Sequence, residues 1–349
     1  MRNSESIDFA SHFPKVSIIL PTFNRARFMR QAISSIAQQE FRDWELIIID
    51  DGSRDESASV IVKLSQEFQI PIRYWRQDNQ GPAAARNFGL RNARGKYVAF
   101  FDSDDTWDTT HLLTCVKELE KNSDADWVYS SFRRVRFASN EIIDPDAFVE
   151  HGQRAQFLSL RTSRRGDLYV IDDDRAMKCA IDRGLCIGLR ASVVRRSVFQ
   201  KIKFPLFRVG EDQALYPRAL ANGVKFAYVK FIQATAYVHD DNLSEVAGIQ
   251  SIDKYVNSLS ELICAFESIR DLNLTSSERR TLEHRIARES FWNIGYTCLR
   301  AGHDQYALKY LSKGLRRYPK NLVFWKTYVI ALVRIATRKI NRGLQYGPR

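Results

Sequence analysis

The segment GKYVAFFDSDD, residues 95–105, sets a glycine, an unbroken apolar run and three carboxylates in its last four positions side by side. Tyr97–Phe101 carries no polar break, which suits a strand covered on both faces of a parallel sheet. The run ends in Asp102-Ser103-Asp104-Asp105, where like charges crowd at a strand terminus. A divalent cation relieves that repulsion and takes hard oxygen ligands. The same four residues also read as a solvated loop in which Asp104 or Asp105 caps the next helix.

Upstream the pattern repeats. Val16–Leu20 is apolar apart from Ser17 and stops at Pro21, Leu46–Ile49 stops at Asp50-Asp51-Gly52-Ser53, and Ile72–Trp75 is a third strand. Helical spacing fills Arg27–Gln38, Asp55–Phe68 and the stretch from Pro82, a good first helical residue, to about Ala93. This is β-α-β-α-β-α-β in under 90 residues. Right-handed crossovers then predict an α/β fold with an open, mixed, largely parallel sheet and helices on both faces. Ligands of such sheets bind at the carboxyl edge of the strands, where residues 50–51 and 102–105 lie.

Downstream the spacing predicts strands at Trp127–Ser130, Val224–Val229 and Ala234–Val238, and helices at 191–200 and 211–222. The polar stretch 140–182 reads as a variable loop over the site. Four helices follow, near 249–271, 276–301, 304–317 and 321–340. The division expected is therefore an α/β domain over 1–244 and an α-helical region with a basic tail over 245–349. Gly295, Ala307 and Pro319 fall at the spacing of one tetratricopeptide repeat. One repeat forms no solenoid, so the segment is expected as a helical hairpin covering the catalytic domain or offering a partner surface. Residues 322–336, LVFWKTYVIALVRIA, are apolar almost all round. They form either a packing helix or an interfacial one whose Arg338, Lys339 and Arg342 meet anionic lipid.

The chain has 349 residues and a net charge of +12. From Gln305 to Arg349 there are eleven Lys and Arg and no Asp or Glu, so the excess sits mainly in the tail. Five cysteines without a CxxC pair read as reduced thiols. The N-terminal residues show no signal-peptide pattern and no stretch predicts a spanning helix, so a cytoplasmic protein is expected, peripheral at the inner face of the membrane if the tail binds lipid. No GxGxxG follows the first strand and no Walker A loop occurs, which sets aside dinucleotide dehydrogenases and P-loop enzymes.

The ordered motifs resemble the family 2 glycosyltransferases of the GT-A fold. VSIILPTFNR at 16–25 is similar to that family's opening strand and nucleotide loop, ELIIIDDGSRDES at 45–57 to its second strand and turn, and NQGPAAARNFGLRNARGKYVAFFDSDD at 79–105 to its third helix and metal-binding strand end. RRSVFQKIKFPLFRVGEDQALYPRALANG at 195–223 is similar to the acceptor side, and VHDDNLS at 238–244 to the closing His segment. The resemblance spans 16–244. It implies that Pro21, Thr22, Phe23 and Asn24 border the nucleotide base, that Asp51 accepts its hydrogen bonds, and that Arg86 and Asn87 face the nucleotide. By the same resemblance Asp104 would lie near ribose and metal, Asp105 would ligate the metal (Mn²⁺ or Mg²⁺), and His239 would approach the diphosphate or metal. The resemblance also implies that Asp212 is the general base of an inverting transfer, with Glu211 orienting it or touching the acceptor. A nucleotide-sugar donor, UDP-sugar favoured, and a glycan or lipid-linked acceptor of cell-surface polysaccharide synthesis are implied partners; nucleic acid is not expected. Rival readings are a sugar-nucleotide nucleotidyltransferase, which lacks its Gly-rich phosphate loop here, a non-catalytic binder using the basic tail, and a degenerate transferase that only binds.

Overall fold

The structure, a computed structural model, describes residues 13–150, 152–185, 188–239 and 251–345. Strands β1 (Val16–Thr22), β2 (Trp44–Asp50), β3 (Ile72–Arg76) and β4 (Tyr97–Phe100) alternate with helices α1 (Ala26–Ala37), α2 (Ser57–Phe68) and α3 (Pro82–Asn92). Next come β5 (Thr106–Trp107), α4 (His111–Lys121), β6 (Trp127–Arg136), β7 (Ile142–Asp144), β8 (Val149–Glu150) and β9 (Gln153–Arg154). The α/β region closes with β10 (Thr162–Arg165), β11 (Leu168–Ile171), α5 (Ala176–Asp182), β12 (Ser192–Arg195), α6 (Val198–Lys201), α7 (Glu211–Ala221) and β13 (Phe226–Val238).

The main sheet runs β10-β11-β13-β6-β12-β4-β1-β2-β3, with β5 on β13 and β7 on β6. The β4-β1-β2-β3 half is parallel throughout. Alternation in its apolar runs covers both faces. Ile18, Leu20, Leu46 and Ile48 point to the core under α1, α2 and α4, whereas Ile19, Ile47 and Ile49 point to the core under α3 and α7.

Three expectations change. Residues 191–200 are not one helix: Ser192–Arg195 is a strand inserted antiparallel between β4 and β6, and only Val198–Lys201 is helical. Val193 and Val194 are fully buried there, because a β-branched pair fills a two-faced sheet position better than a helix surface. The separate strands at 224–229 and 234–238 are one strand, β13, with register shifts between Tyr228 and Ala234 where Lys230 and Phe231 turn outward. The 140–182 stretch is a set of short antiparallel pairings followed by α5, not an open loop.

The C-terminal region is helical, as α8 (Ile252–Glu267), α9 (Ser276–Arg288), a π-helical continuation over Glu289–Tyr296, α10 (Thr297–Arg300), α11 (Asp304–Arg317) and α12 (Leu322–Gln345). Gly295, at the tetratricopeptide spacing, and Gly314, which does not fit that repeat, are both close-approach points. A Cβ on Gly295 would lie 2.7 Å from the Leu311 nitrogen, and one on Gly314 would lie 2.7 Å from the Phe291 Cβ. The core of this region includes Ile181 from α5 and Ala214 from α7, so the helices cover the α/β part. Gly210, at φ +84°, leads into α7 directly beneath α8, where an added Cβ would meet Leu262 at 2.6 Å. The expected boundary near 241–248 lies outside the described residues.

Candidate active site

Every sequence-predicted site residue except Arg86 and Asn87, which lie on α3, sits at the carboxyl end of a strand or at the N-terminus of α7. At the end of β1, Pro21 and Thr22 are buried while Phe23 is 41% exposed, its ring free to stack on a planar ligand. The Thr22 hydroxyl is buried without a hydrogen-bond partner among the described residues. Asn24 takes φ +52° and its side chain accepts from the Arg54 amide, which ties the loop after β1 to the turn after β2.

The two aspartates after β2 divide their work. Asp50 accepts from the Ser53 amide and the Tyr74 hydroxyl, which shapes the turn. Asp51 accepts from the Gln77 side chain and from the amides of Gln80 and Gly81, at 2.7–2.9 Å. It thereby pins the loop that leads into α3. Asn87 is engaged at both ends of its carboxamide by the backbone of Phe204, so it holds that loop.

The acidic loop after β4 is surrounded by cations. Asp104 accepts from the His239 Nε2 at 3.1 Å and lies 3.6 Å from the Arg25 Nε. Burial alone would raise its pKa, but the His239 bond and the Arg25 and Arg190 guanidiniums outweigh burial and hold it below the usual range. The His239 ring stacks on Phe28 at 4.3 Å, which orients it toward the carboxylate. Asp105 is 1% exposed, and burial pushes its pKa well above the usual range against the opposing charge of Arg190. One of its oxygens accepts from the Tyr237 amide; the other, Oδ2, is enclosed and receives no aligned hydrogen bond.

A buried arginine links this loop to the proposed base. Arg86 donates to Asp102 at 2.8 Å and to Glu211 at 2.7 Å, its side chain only 7% exposed. It therefore joins the acidic loop after β4 to the N-terminus of α7. Burial raises Glu211 to about 7 even though Arg86 pulls it down. Burial likewise raises Asp212, whose Oδ1 accepts from the Gln213 amide. Two carboxyls with elevated pKa at a helix N-terminus form a set suited to general base work. The helix start is braced from the C-terminal region, where Arg285 reaches the Gln213 side chain and the Asp182 carbonyl.

Sequence reasoning missed Arg190 and Trp107. Arg190, in the turn before β12, places Nη1 2.8 Å from the Asp105 Oδ2, and the Trp107 indole N–H donates to the Arg190 carbonyl. A lone arginine in a turn carries no periodic signal, so nothing in the sequence singles it out. Among the described residues no three His, Cys, Asp or Glu side chains converge into a ready-made metal cage. Magnesium and manganese sites of this type use one or two carboxylates and complete their shell with substrate phosphates. The orphaned buried oxygen of Asp105, with Asp104 beside it, fits that donor set.

This sheet, with its acidic strand end and a carboxylate pair opening the facing helix, has the architecture of the GT-A fold. Residues 17–186 match the model of glycosyl transferase family 2. Among curated relatives, a GalNAc(5)-diNAcBac-PP-undecaprenol beta-1,3-glucosyltransferase of Campylobacter jejuni is 44% identical over 107 residues, 30% of this chain and 34% of its own. The matches to curated relatives cover between 17% and 58% of those proteins' length, less than two thirds in each case. Among solved structures, S. aureus TarS in complex with UDP-GlcNAc superposes with a TM-score of 0.59 at 18% identity, covering 87% of this chain and 81% of TarS. The mannosyltransferase PcManGT of Pyrobaculum calidifontis, in complex with GDP-Man and Mn²⁺, gives 0.55 at 18% identity, covering 95% and 88%. At these identities the two structures establish the fold.

Proposed function

We propose that this chain is an inverting glycosyltransferase that moves a sugar from a nucleotide-diphosphate donor, UDP-sugar favoured, to a hydroxyl of a glycan or lipid-linked acceptor in cell-surface polysaccharide synthesis. The observation that carries this reading is the Asp102–Arg86–Glu211 bridge, which sets the acidic strand end and the Glu211-Asp212 pair at one site. Phe23 and the loop held by Asp51 receive the base. Asp212 takes the proton of the acceptor hydroxyl as it attacks the anomeric carbon from the face opposite the diphosphate. Glu211, fixed by Arg86, orients the base or contacts the acceptor. Asp105 and Asp104 would hold a divalent cation, with His239 beside them. That ion, when bound, stabilises charge on the departing diphosphate. Holding donor and acceptor in line converts a bimolecular step into a local one.

The donor site is tested by thermal shift with UDP, dTDP and GDP, with and without Mn²⁺, on the wild type and Asp105→Ala. A Mn²⁺-dependent stabilisation by one nucleotide, lost in the variant, is expected. Saturation at about 100 times Kd corresponds to about 2.7 kcal/mol of added stability. No shift with any nucleotide in folded wild-type protein would refute the donor assignment.

We further propose a peripheral membrane contact through residues 322–349, from a cytoplasmic location. No helix among the described residues is long and apolar enough to cross a membrane. Phe324, Tyr328, Ala331 and Ile335 turn α12 toward the helical core. The opposite face exposes Leu322, Val323, Trp325, Val329, Ile330 and Val333, with Lys326 and Arg334 also at the surface. An apolar face rimmed by cations suits an anionic lipid surface. Arg338 does not take the lipid-facing position expected of it: it pairs with Asp304 and holds α12 to α11. Full-length protein is expected to float with anionic vesicles and not with neutral ones, and Val329→Glu/Val333→Glu to abolish flotation. Equal flotation of the wild type and this double variant would sink the contact.

A further inference from the structure

Arg190 is the group in closest electrostatic contact with the buried, otherwise unsatisfied oxygen of Asp105. Its Nη1 lies 2.8 Å from Oδ2 of Asp105 and its Nη2 lies 3.7 Å from Asp102. The contact is one of charge and not of alignment, since among the described residues Asp105 Oδ2 receives no well-directed hydrogen bond. The main chain of Arg190 is fixed by the Trp107 indole, which belongs to the same segment as Asp105. The guanidinium also lies over the Phe132 ring, 5.2 Å from its centroid. The anchor thus holds the backbone while the charged end rests in ion pairs with Asp105 and Asp102 and on an aromatic face.

We propose that the Arg190 guanidinium occupies the place of the divalent cation at Asp105 until the donor binds, and that cation and donor phosphate together exchange it off the carboxylate. This rests on the nucleotide-sugar reading above. Before exchange, Arg190 neutralises a buried carboxylate that would otherwise stand unpaired, a state that is strongly destabilising. After exchange, a guanidinium freed beside a diphosphate finds an oxyanion partner in the form it binds best, through charge-assisted hydrogen bonds. Cation and donor then bind cooperatively, because each removes a cost that the other would meet alone. No bond is made or broken in the exchange.

The test measures Mn²⁺ binding to full-length protein by the loss of the free-ion paramagnetic resonance signal, with and without UDP. Wild type is expected to bind Mn²⁺ weakly alone and about tenfold or more tightly with UDP. Arg190→Gln is expected to bind Mn²⁺ alone about tenfold more tightly than wild type, and UDP in the presence of Mn²⁺ about tenfold less tightly. Arg190→Lys keeps the charge and is expected to stay near wild type toward Mn²⁺ alone. Unchanged or weaker Mn²⁺ binding by folded Arg190→Gln would overturn the proposal. If that variant does not fold, wild type decides: Mn²⁺ binding as tight without UDP as with it overturns the exchange. Binding of UDP to wild type with no response to any divalent ion also overturns it, and makes Arg190 a permanent substitute for the metal. Failure of wild type to bind any nucleotide refutes the donor reading instead, while the Arg190→Gln comparison in Mn²⁺ alone still decides the competition at Asp105.

Discussion

Replacing Asp212 by Asn is expected to lower kcat by ~10²–10⁴, the usual contribution of a positioned general base. Donor affinity is expected to stay within about threefold of wild type, because Asp212 acts on the acceptor hydroxyl and the variant keeps the shape of the helix start. The check is release of UDP from a donor sugar in the presence of acceptor, beside UDP binding by calorimetry. The pH profile gives an independent readout. Burial raises the Asp212 carboxyl, with Asp102 adding to it and the Gln213 amide, Arg86 and Arg190 opposing. The neighbouring Glu211 is raised to about 7. Activity requires the deprotonated base, so kcat/KM rises with pH. Its acid limb lies above the usual carboxylate range and belongs to the pair as a unit. A variant that keeps more than a tenth of wild-type kcat, or a limb near pH 4, would remove Asp212 from the base role.

Much of this arrangement was legible in the sequence because its signals are local. The strands β1 to β4 announce themselves as short runs bounded by turn residues, and each acidic loop follows directly from its strand. Glu211-Asp212 after Gly210 reads as a helix start, and α7 begins there. The illegible parts depend on partners far along the chain. Ser192–Arg195 is a strand only because β4 and β6 leave a gap of one strand between them. The hairpins within 140–171 have strands of two to four residues, too short to set up an alternating pattern. Arg86 sits on a helix with no strong apolar stripe, where a charge looks solvated; its burial follows from Asp102 and Glu211 arriving 16 and 125 residues later. Asp51 and Asn87 carry hydrogen bonds to loops that only the folded chain brings near.

Replacing Arg86 by Leu is expected to cost about 3–5 kcal/mol of stability near neutral pH, the usual penalty for removing one partner of a buried ion pair. That is a large share of a typical domain's total. Leu fills part of the space but leaves Glu211, 8% exposed, and Asp102 facing each other without the cation between them. The sign of the pH dependence follows from Glu211. Its folded value of about 7 already exceeds its ordinary value of 4.5, and Arg86 is a force holding it down. Without Arg86 it rises further, so the native state keeps a proton that the unfolded chain has lost. Between the ordinary value and the raised one the native state binds more protons, and stability falls as pH rises through that window. The deficit of Arg86→Leu relative to wild type is therefore expected to be largest near pH 8 and to shrink toward pH 5, measured by denaturant unfolding at several pH values. Arg86→Lys, which keeps a charge but cannot bridge both carboxylates with a planar fork, is expected to fall between the two. A penalty below about 1 kcal/mol, or one that does not change with pH, would mean that the bridge between the acidic loop and the catalytic helix carries no structural weight. The positioning of Glu211 would then have to come from the contacts of Gly210 and Gln213 with α8 and α9 alone.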